Sequence, residues 1–152
     1  MKTRILMVCL GNICRSPLAE GILRSKLDPE RFFVDSAGTG HWHVGDKPDP
    51  RSIKVAQKYG IDISYQRGRQ ISTEDFEKFD FIYVMDNENK RNVSELAPDN
   101  NAKNKVRLIL NELFENENVD VPDPYYGDES DFEHVFKLLN QATEVISKKF
   151  MN

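Results

Sequence analysis

Residues 5–17 read Ile5-Leu6-Met7-Val8-Cys9-Leu10-Gly11-Asn12-Ile13-Cys14-Arg15-Ser16-Pro17, and this stretch decides the fold. Ile5 to Val8 is an unbroken apolar run, the pattern of a short strand buried on both faces. Ser16-Pro17 reads as a helix start, with serine as the N-cap and proline at the first helical position. Between them Gly11 and Asn12 suit a tight turn, asparagine because it tolerates a left-handed backbone. Such a connection aims several backbone N–H groups and the positive end of a helix dipole into one small bowl, which fits a tetrahedral oxyanion. Arg15 adds a planar fork of donors matched to phosphate oxygens. Cys9, at the strand end, comes to lie under that anion, in a field that favours a thiolate nucleophile. Taken singly, a strand cysteine is ordinarily a small core residue and an arginine a solvated charge. A glycine, an asparagine, an arginine and a Ser-Pro pair packed between one strand and one helix are not so explained. The set points to phosphate-ester chemistry through a cysteine.

Outward from this loop, strands and helices alternate. Leu18, Ile22, Leu23 and Leu27 recur near helical spacing, and Asp28-Pro29 stops that helix. Phe32-Phe33-Val34 is a second strand. Residues 37–50 form a long loop rich in glycine and proline, of a length usually kept for function. The spacing predicts a helix from Arg51 to Tyr59, ended by Gly60. Ser72-Thr73-Glu74-Asp75 opens a short helix, and Phe79 to Met85 is a strand. Asp86 caps the helix that runs through Leu96, with Pro98 beyond it. Val106 to Leu110 is the fourth strand, and residues 112–118 are left between helix and acidic loop. Ser130 and Glu133 read as the capping box of a last helix reaching Phe150. Its apolar stripe is Phe132, Val135, Phe136, Leu139, Ala142, Val145 and Ile146. This order predicts an open, doubly wound parallel sheet with helices on both faces. Ligands bind such sheets beyond the carboxyl ends of the strands, where the Cys9 loop falls.

Composition narrows the class. A chain of 152 residues holds one core and is short for two, so residues 1–152 are expected to form a single domain. The net charge of −4 and the lack of any lysine/arginine block argue against nucleic acid and membrane surfaces as partners. No apolar run approaches the ~20 residues that span a bilayer, and no signal peptide is evident. The 2 cysteines both lie in the loop, so no disulfide framework is in prospect and a reducing cytoplasm is the expected location.

The stretch Val8 to Pro17 resembles the signature loop of the low-molecular-weight protein tyrosine phosphatases. Asp123-Pro124-Tyr125-Tyr126-Gly127 is similar to that family's second signature, which carries its general acid. Asp35-Ser36-Ala37-Gly38-Thr39, Pro48-Asp49-Pro50-Arg51, Arg69-Gln70 and Met85-Asp86 also match, so the resemblance covers nearly the whole chain. It implies a four-stranded sheet. It also implies hydrolysis of phosphotyrosine through a phosphocysteine, with Cys9 as nucleophile, Arg15 and the loop N–H groups holding the equatorial oxygens, and Asp123 as acid and then base. No step calls for a metal or other cofactor, and no histidine/cysteine cluster with ligand spacing is present. Ser16 is expected to donate to the Cys9 thiolate while capping the helix.

The resemblance further implies that Asn12 sits in a strained turn held by a network that includes Ser36 and a histidine. Gln66 stands at the matching place, and an amide makes similar hydrogen bonds but carries no charge. Cys14 is implied as a partner that traps oxidised Cys9 in a reversible disulfide. Trp42, Tyr125 and Tyr126 match positions whose rings wall a deep slot that admits a phenyl phosphate and leaves the shorter phosphoserine out of reach. His41 and His43 are expected as solvated rim residues. The implied partner is a phosphotyrosine-containing protein, a tyrosine kinase among the candidates; the oligomeric state is not legible. Three related readings fare worse. A thioredoxin-coupled arsenate reductase needs cysteines after Cys14, and there are none. A protein-arginine phosphatase typically has threonine where Ile13 stands and lacks the paired tyrosines. A silent phosphotyrosine-binding module commonly loses the nucleophile or the acid, and both are present.

Overall fold

The alternation inside Ile5-Leu6-Met7-Val8 separates two cores. In a computed structural model that describes residues 1–151, Ile5 and Met7 enter one apolar cluster and Leu6 and Val8 the other, each fully buried. Strand β1 (Thr3–Cys9) therefore lies in the middle of the sheet, as a strand without a polar face must. Four parallel strands, β1, β2 (Phe32–Gly38), β3 (Phe81–Val84) and β4 (Val106–Leu108), run in the order β2-β1-β3-β4. The register places Cys9 opposite Gly38 and Val8 opposite Val84. Because the order reverses at β1, the carboxyl end of β1 opens onto a crevice.

Helices cover both faces. On one side α1 (Arg15–Lys26), α2 (Pro50–Lys58) and α6 (Glu129–Met151) contribute Leu18, Ile22, Val55, Phe132, Phe136 and Leu139 to the first cluster. On the other, α3 (Asp75–Lys78), α4 (Asn87–Leu96) and α5 (Asn100–Lys103) contribute Phe76, Val93 and Ala102 to the second. The four-stranded, doubly wound sheet expected from the sequence is the fold observed.

Several local readings shift. Helix α1 starts at Arg15 with Cys14 at its N-cap, and no side chain caps it. Ser16 is inside the first turn, its hydroxyl turned to the Cys9 sulfur, so the serine serves the loop and not the helix end. Strand β4 stops at Leu108 and a 3₁₀ turn, Ile109–Glu112, follows, which resolves the start of the open stretch. The capping box of α6 is absent. Asp128 accepts from the N–H groups of Ser130 and Asp131, Asp131 accepts from the Asp128 N–H, and Glu133 pairs with Lys58 and Tyr59 of α2. Asp86 caps α4 as expected, accepting from the Asn89 N–H at 2.7 Å. Gly60 stands just past α2 at φ +81°, the left-handed backbone that glycine adopts without steric cost.

Candidate active site

The loop after β1 folds tightly because one residue in it accepts a left-handed backbone. Asn12 has φ +58° and is 3% exposed, and its amide is fully used. Its Nδ2 donates to Ser16 Oγ (2.8 Å) and Ser36 Oγ (3.0 Å), while Oδ1 accepts from the Arg69 N–H (3.0 Å). These bonds tie the loop to α1, to β2 and to the segment before α3. The loop also rests on Gly38. A β-carbon there would stand 2.8 Å from the Leu10 carbonyl oxygen and 3.1 Å from the Asn12 nitrogen.

At the floor, Cys9 Sγ lies 3.0 Å from Ser16 Oγ and accepts from the Asn12 N–H at 3.3 Å. Among the described residues, no backbone hydrogen bond has the N–H of Gly11, Ile13 or Cys14 as its donor. Those groups border a cleft of 240 Å³ lined by Cys9 to Gly11, Ile13 to Arg15, Trp42, His43, Asp123, Tyr125 and Tyr126. A larger groove of 420 Å³ between α2 and α6 is lined by Arg51, Lys54, Val55, Lys58, Glu129, Ser130, Phe132 and Glu133, and contains no such floor.

Arg15 is 3% exposed, and its Nη1 donates to Asp86 Oδ2 (2.8 Å) and to the Val121 carbonyl (2.9 Å). Its Nη2 is 3.9 Å from Asp123 Oδ2, across the cleft. Burial works against the guanidinium charge, but Cys9, Asp86 and Asp123 outweigh it and hold the group protonated. Asp86 is thus the carboxylate that orients Arg15, a role the sequence reading did not give it. The clue was its place directly after the strand beside β1. Cys14 is buried, and burial first, then the Asp49 carboxylate, pushes its thiol well above the usual range.

Behind the loop lies a second residue the sequence reading missed. Glu20, on α1, is 2% exposed; it accepts from Ser36 Oγ (2.7 Å) and Tyr65 Oη (2.8 Å), and Arg24 stands 3.3 Å away. Burial raises its pKa against those hydrogen bonds. Gln66 does reach this network, but at its edge. Its Oε1 is 3.5 Å from Ser36 Oγ, and its Nε2 donates to the Pro17 carbonyl at 3.0 Å.

The rim is aromatic. Trp42 is 63% exposed and stacks on His41, and Tyr126 is 95% exposed with its ring edge-on to Tyr125 at 4.9 Å. His43 lines the cleft and pairs with Asp46 at 3.1 Å. All the residues expected at the site therefore meet around one opening: the Cys9-to-Ser16 loop, Ser36 behind it, Asp123 opposite Arg15, and Trp42, Tyr125 and Tyr126 above.

A buried cysteine at the end of a central parallel strand, a charged arginine six residues on at the start of α1 and a carboxylate across the same cleft define a cysteine-dependent phosphatase as the class. The family model for low molecular weight phosphotyrosine protein phosphatase matches residues 4–151. The phosphatase of that name from Schizosaccharomyces pombe is 42% identical over 134 residues, 85% of each chain. Among solved structures, a protein tyrosine phosphatase from Entamoeba histolytica superimposes with a TM-score of 0.92 at 34% identity, covering 99% of this chain and 97% of its own. Vibrio vulnificus Wzb in complex with benzylphosphonate does so with a TM-score of 0.88 at 30% identity, covering 98% and 99%. The chain belongs to the low molecular weight phosphotyrosine protein phosphatase family, a family of hydrolases that act through a phosphocysteine.

Proposed function

We propose that Cys9, Arg15 and Asp123 carry the hydrolysis of phosphotyrosine in proteins. Cys9, as thiolate, attacks phosphorus in line; the S–P bond forms as the P–O bond to the phenolate breaks. Arg15 and the N–H groups of Gly11, Ile13 and Cys14 hold the three equatorial oxygens and the charge they bear in the transition state. Asp123 gives its proton to the leaving phenolate, then takes one from the water that releases phosphate and restores the thiolate. Ser16 donates to the sulfur as it leaves, and Ser36 keeps Asn12, and so the turn, in place. Trp42, Tyr125 and Tyr126 take the phenyl ring. The benzylphosphonate bound by the Vibrio protein, an aryl group one carbon from a tetrahedral oxyanion, supports this use of the rim. The observation that carries the reading is the Cys9 sulfur under its Ser16 and Asn12 donors, with Asp123 and Arg15 closing the other side.

The proposed partner of this small catalytic unit, spanning residues 1–152, is a phosphotyrosine-containing protein, with tyrosine kinases among the candidates. With a thiol nucleophile to keep reduced, the cytoplasm is the proposed location. Hydrolysis of p-nitrophenyl phosphate and of matched phosphotyrosine and phosphoarginine peptides by the wild type, Cys9→Ser and Asp123→Ala tests the proposal. Activity on phosphotyrosine that Cys9→Ser abolishes and Asp123→Ala cuts by a hundredfold or more, about the usual weight of a general acid, is expected. Preference for phosphoarginine, or full activity of Asp123→Ala on phosphotyrosine, would contradict it.

A further inference from the structure

We propose that Arg51 is a positioning residue that holds the Asp123 loop over the cleft, fastening it to the phosphate loop through Asp49. The inference rests on the reading of Asp123 as the acid. Asp123 sits on a stretch with no regular structure, between β4 and α6, and its side chain is 47% exposed. Its own bonds are few: Oδ1 accepts from the Tyr125 N–H at 3.1 Å, a contact internal to the loop. The upstream end of the stretch is anchored by Val121, whose N–H donates to the Met85 carbonyl and whose carbonyl accepts from Arg15. The downstream anchor is Arg51. Its Nη2 donates to the Tyr125 carbonyl at 2.9 Å and its Nη1 to the Gly127 carbonyl at 3.1 Å.

The guanidinium is itself fixed from three sides. Nε and Nη2 bind the two oxygens of Asp49 at 3.0 and 2.9 Å, and its carbon lies 4.5 Å over the Phe132 ring of α6. Burial opposes the Asp49 charge, yet the hydrogen bonds from the Arg51 side chain and N–H outweigh it and hold that carboxyl below the usual range. Asp49 in turn donates its N–H to the Ile13 carbonyl at 2.8 Å. One unbroken path thus runs from the wall of the phosphate loop to both carbonyls that bracket the Tyr125-Tyr126 turn. A planar fork with five donors serves both ends of that path, whereas a lysine cannot. Misplacing a catalytic group by an ångström is enough to cost much of its effect.

The test separates loss of the proton donor from general damage. Breaking the bond to a phenolate needs a proton, whereas dinitrophenolate leaves without one, and kcat/KM reports the step in which that bond breaks. For Arg51→Met, kcat/KM on phenyl phosphate is expected to fall about tenfold further than on 2,4-dinitrophenyl phosphate. Inhibition by inorganic phosphate should stay within about twofold of wild type, because the phosphate loop is intact. The double variant Asp49→Asn/Arg51→Met removes the carboxylate left without its partner and should show the same discrimination. Arg51→Lys keeps the charge but not the fork, stands in should the methionine variant fail to fold, and should discriminate in the same direction by about threefold. An equal fall on both substrates, or no fall on either, overturns the proposal. Asp123→Ala run alongside locates a failure. If it discriminates and the Arg51 variants do not, the fastening is wrong; if it does not discriminate, the assignment of the acid is wrong.

Discussion

Replacing Asn12 with alanine should loosen the phosphate loop by an amount the structure sets. The amide makes three hydrogen bonds, to Ser16, Ser36 and the Arg69 N–H, all with buried or half-buried partners. A typical hydrogen bond contributes ~1 kcal/mol net, and a buried donor left without a partner costs more. Alanine keeps the β-carbon that asparagine already carries at φ +58°, so that crowding cancels between wild type and Asn12→Ala. The three bonds alone give about 3 kcal/mol, a large share of the ~5–15 kcal/mol that holds a domain folded. Asn12→Gly loses the same hydrogen bonds but keeps the turn at no steric cost, so it should be the more stable of the two by about 1 kcal/mol. Urea denaturation of the three proteins reads these differences from the midpoints at constant slope. Inhibition by inorganic phosphate reads the loop itself, and should weaken more in the alanine variant than in the glycine one. Equal stability of the two variants would refute the backbone argument, and a loss below about 1 kcal/mol in both would refute the hydrogen-bond argument.

Other outcomes follow from single contacts. Gly38→Ala places a methyl group 2.8 Å from the Leu10 carbonyl oxygen, so the loop must move; a loss of about 1–3 kcal/mol and weaker phosphate inhibition are expected, measured as above. Glu20, with its pKa raised by burial, binds more protons folded than unfolded. Stability should therefore fall as pH rises from the ordinary carboxylate range, about 4.3, through the raised value, and Glu20→Gln should flatten that slope in denaturation curves taken across the range. Peroxide should oxidise Cys9 to a sulfenic acid that the Cys14 thiol captures as a disulfide with loss of water. In excess peroxide, activity should then return with dithiothreitol in the wild type but not in Cys14→Ala, whose uncaptured sulfenic acid a second peroxide oxidises to the irreversible sulfinic acid, and equal recovery in both would rule the capture out.

How far the sequence carried the reading depends on how far apart the interacting residues lie. The Cys9 loop was legible because strand, turn and helix are consecutive, and the Asp86 cap because it needs only the residues just after it. The N-cap of α1 was misread for a physical reason: Ser16 has a nearer partner in Cys9, and a hydroxyl engaged with a sulfur is not free to cap. The Ser130 and Glu133 pattern failed likewise, since Asp128 takes the Ser130 N–H that Glu133 would have reached and Lys58 of another helix claims Glu133. Helix α5 is a single turn, too short for periodicity to register. Glu20 was not singled out, and Arg51 was noted only within a matching motif and at a helix start, because the roles of both are wholly tertiary. Glu20 lies on a helix that is buried nearly all round in its first half, so no polar stripe marks it out. Arg51 acts on carbonyl oxygens more than seventy residues away, which no side-chain pattern records.

The most direct test of the account is to stop the reaction at its covalent stage. Asp123→Ala, lacking the base for the second step, should accumulate a phosphoenzyme when mixed with p-nitrophenyl phosphate and quenched in acid. Mass spectrometry of the digest should find one phosphoryl group on the peptide that begins the phosphate loop, carried on Cys9 and absent from Cys9→Ser. Turnover with no phosphoryl group on Cys9, or with one that persists in Cys9→Ser, would contradict the central claim.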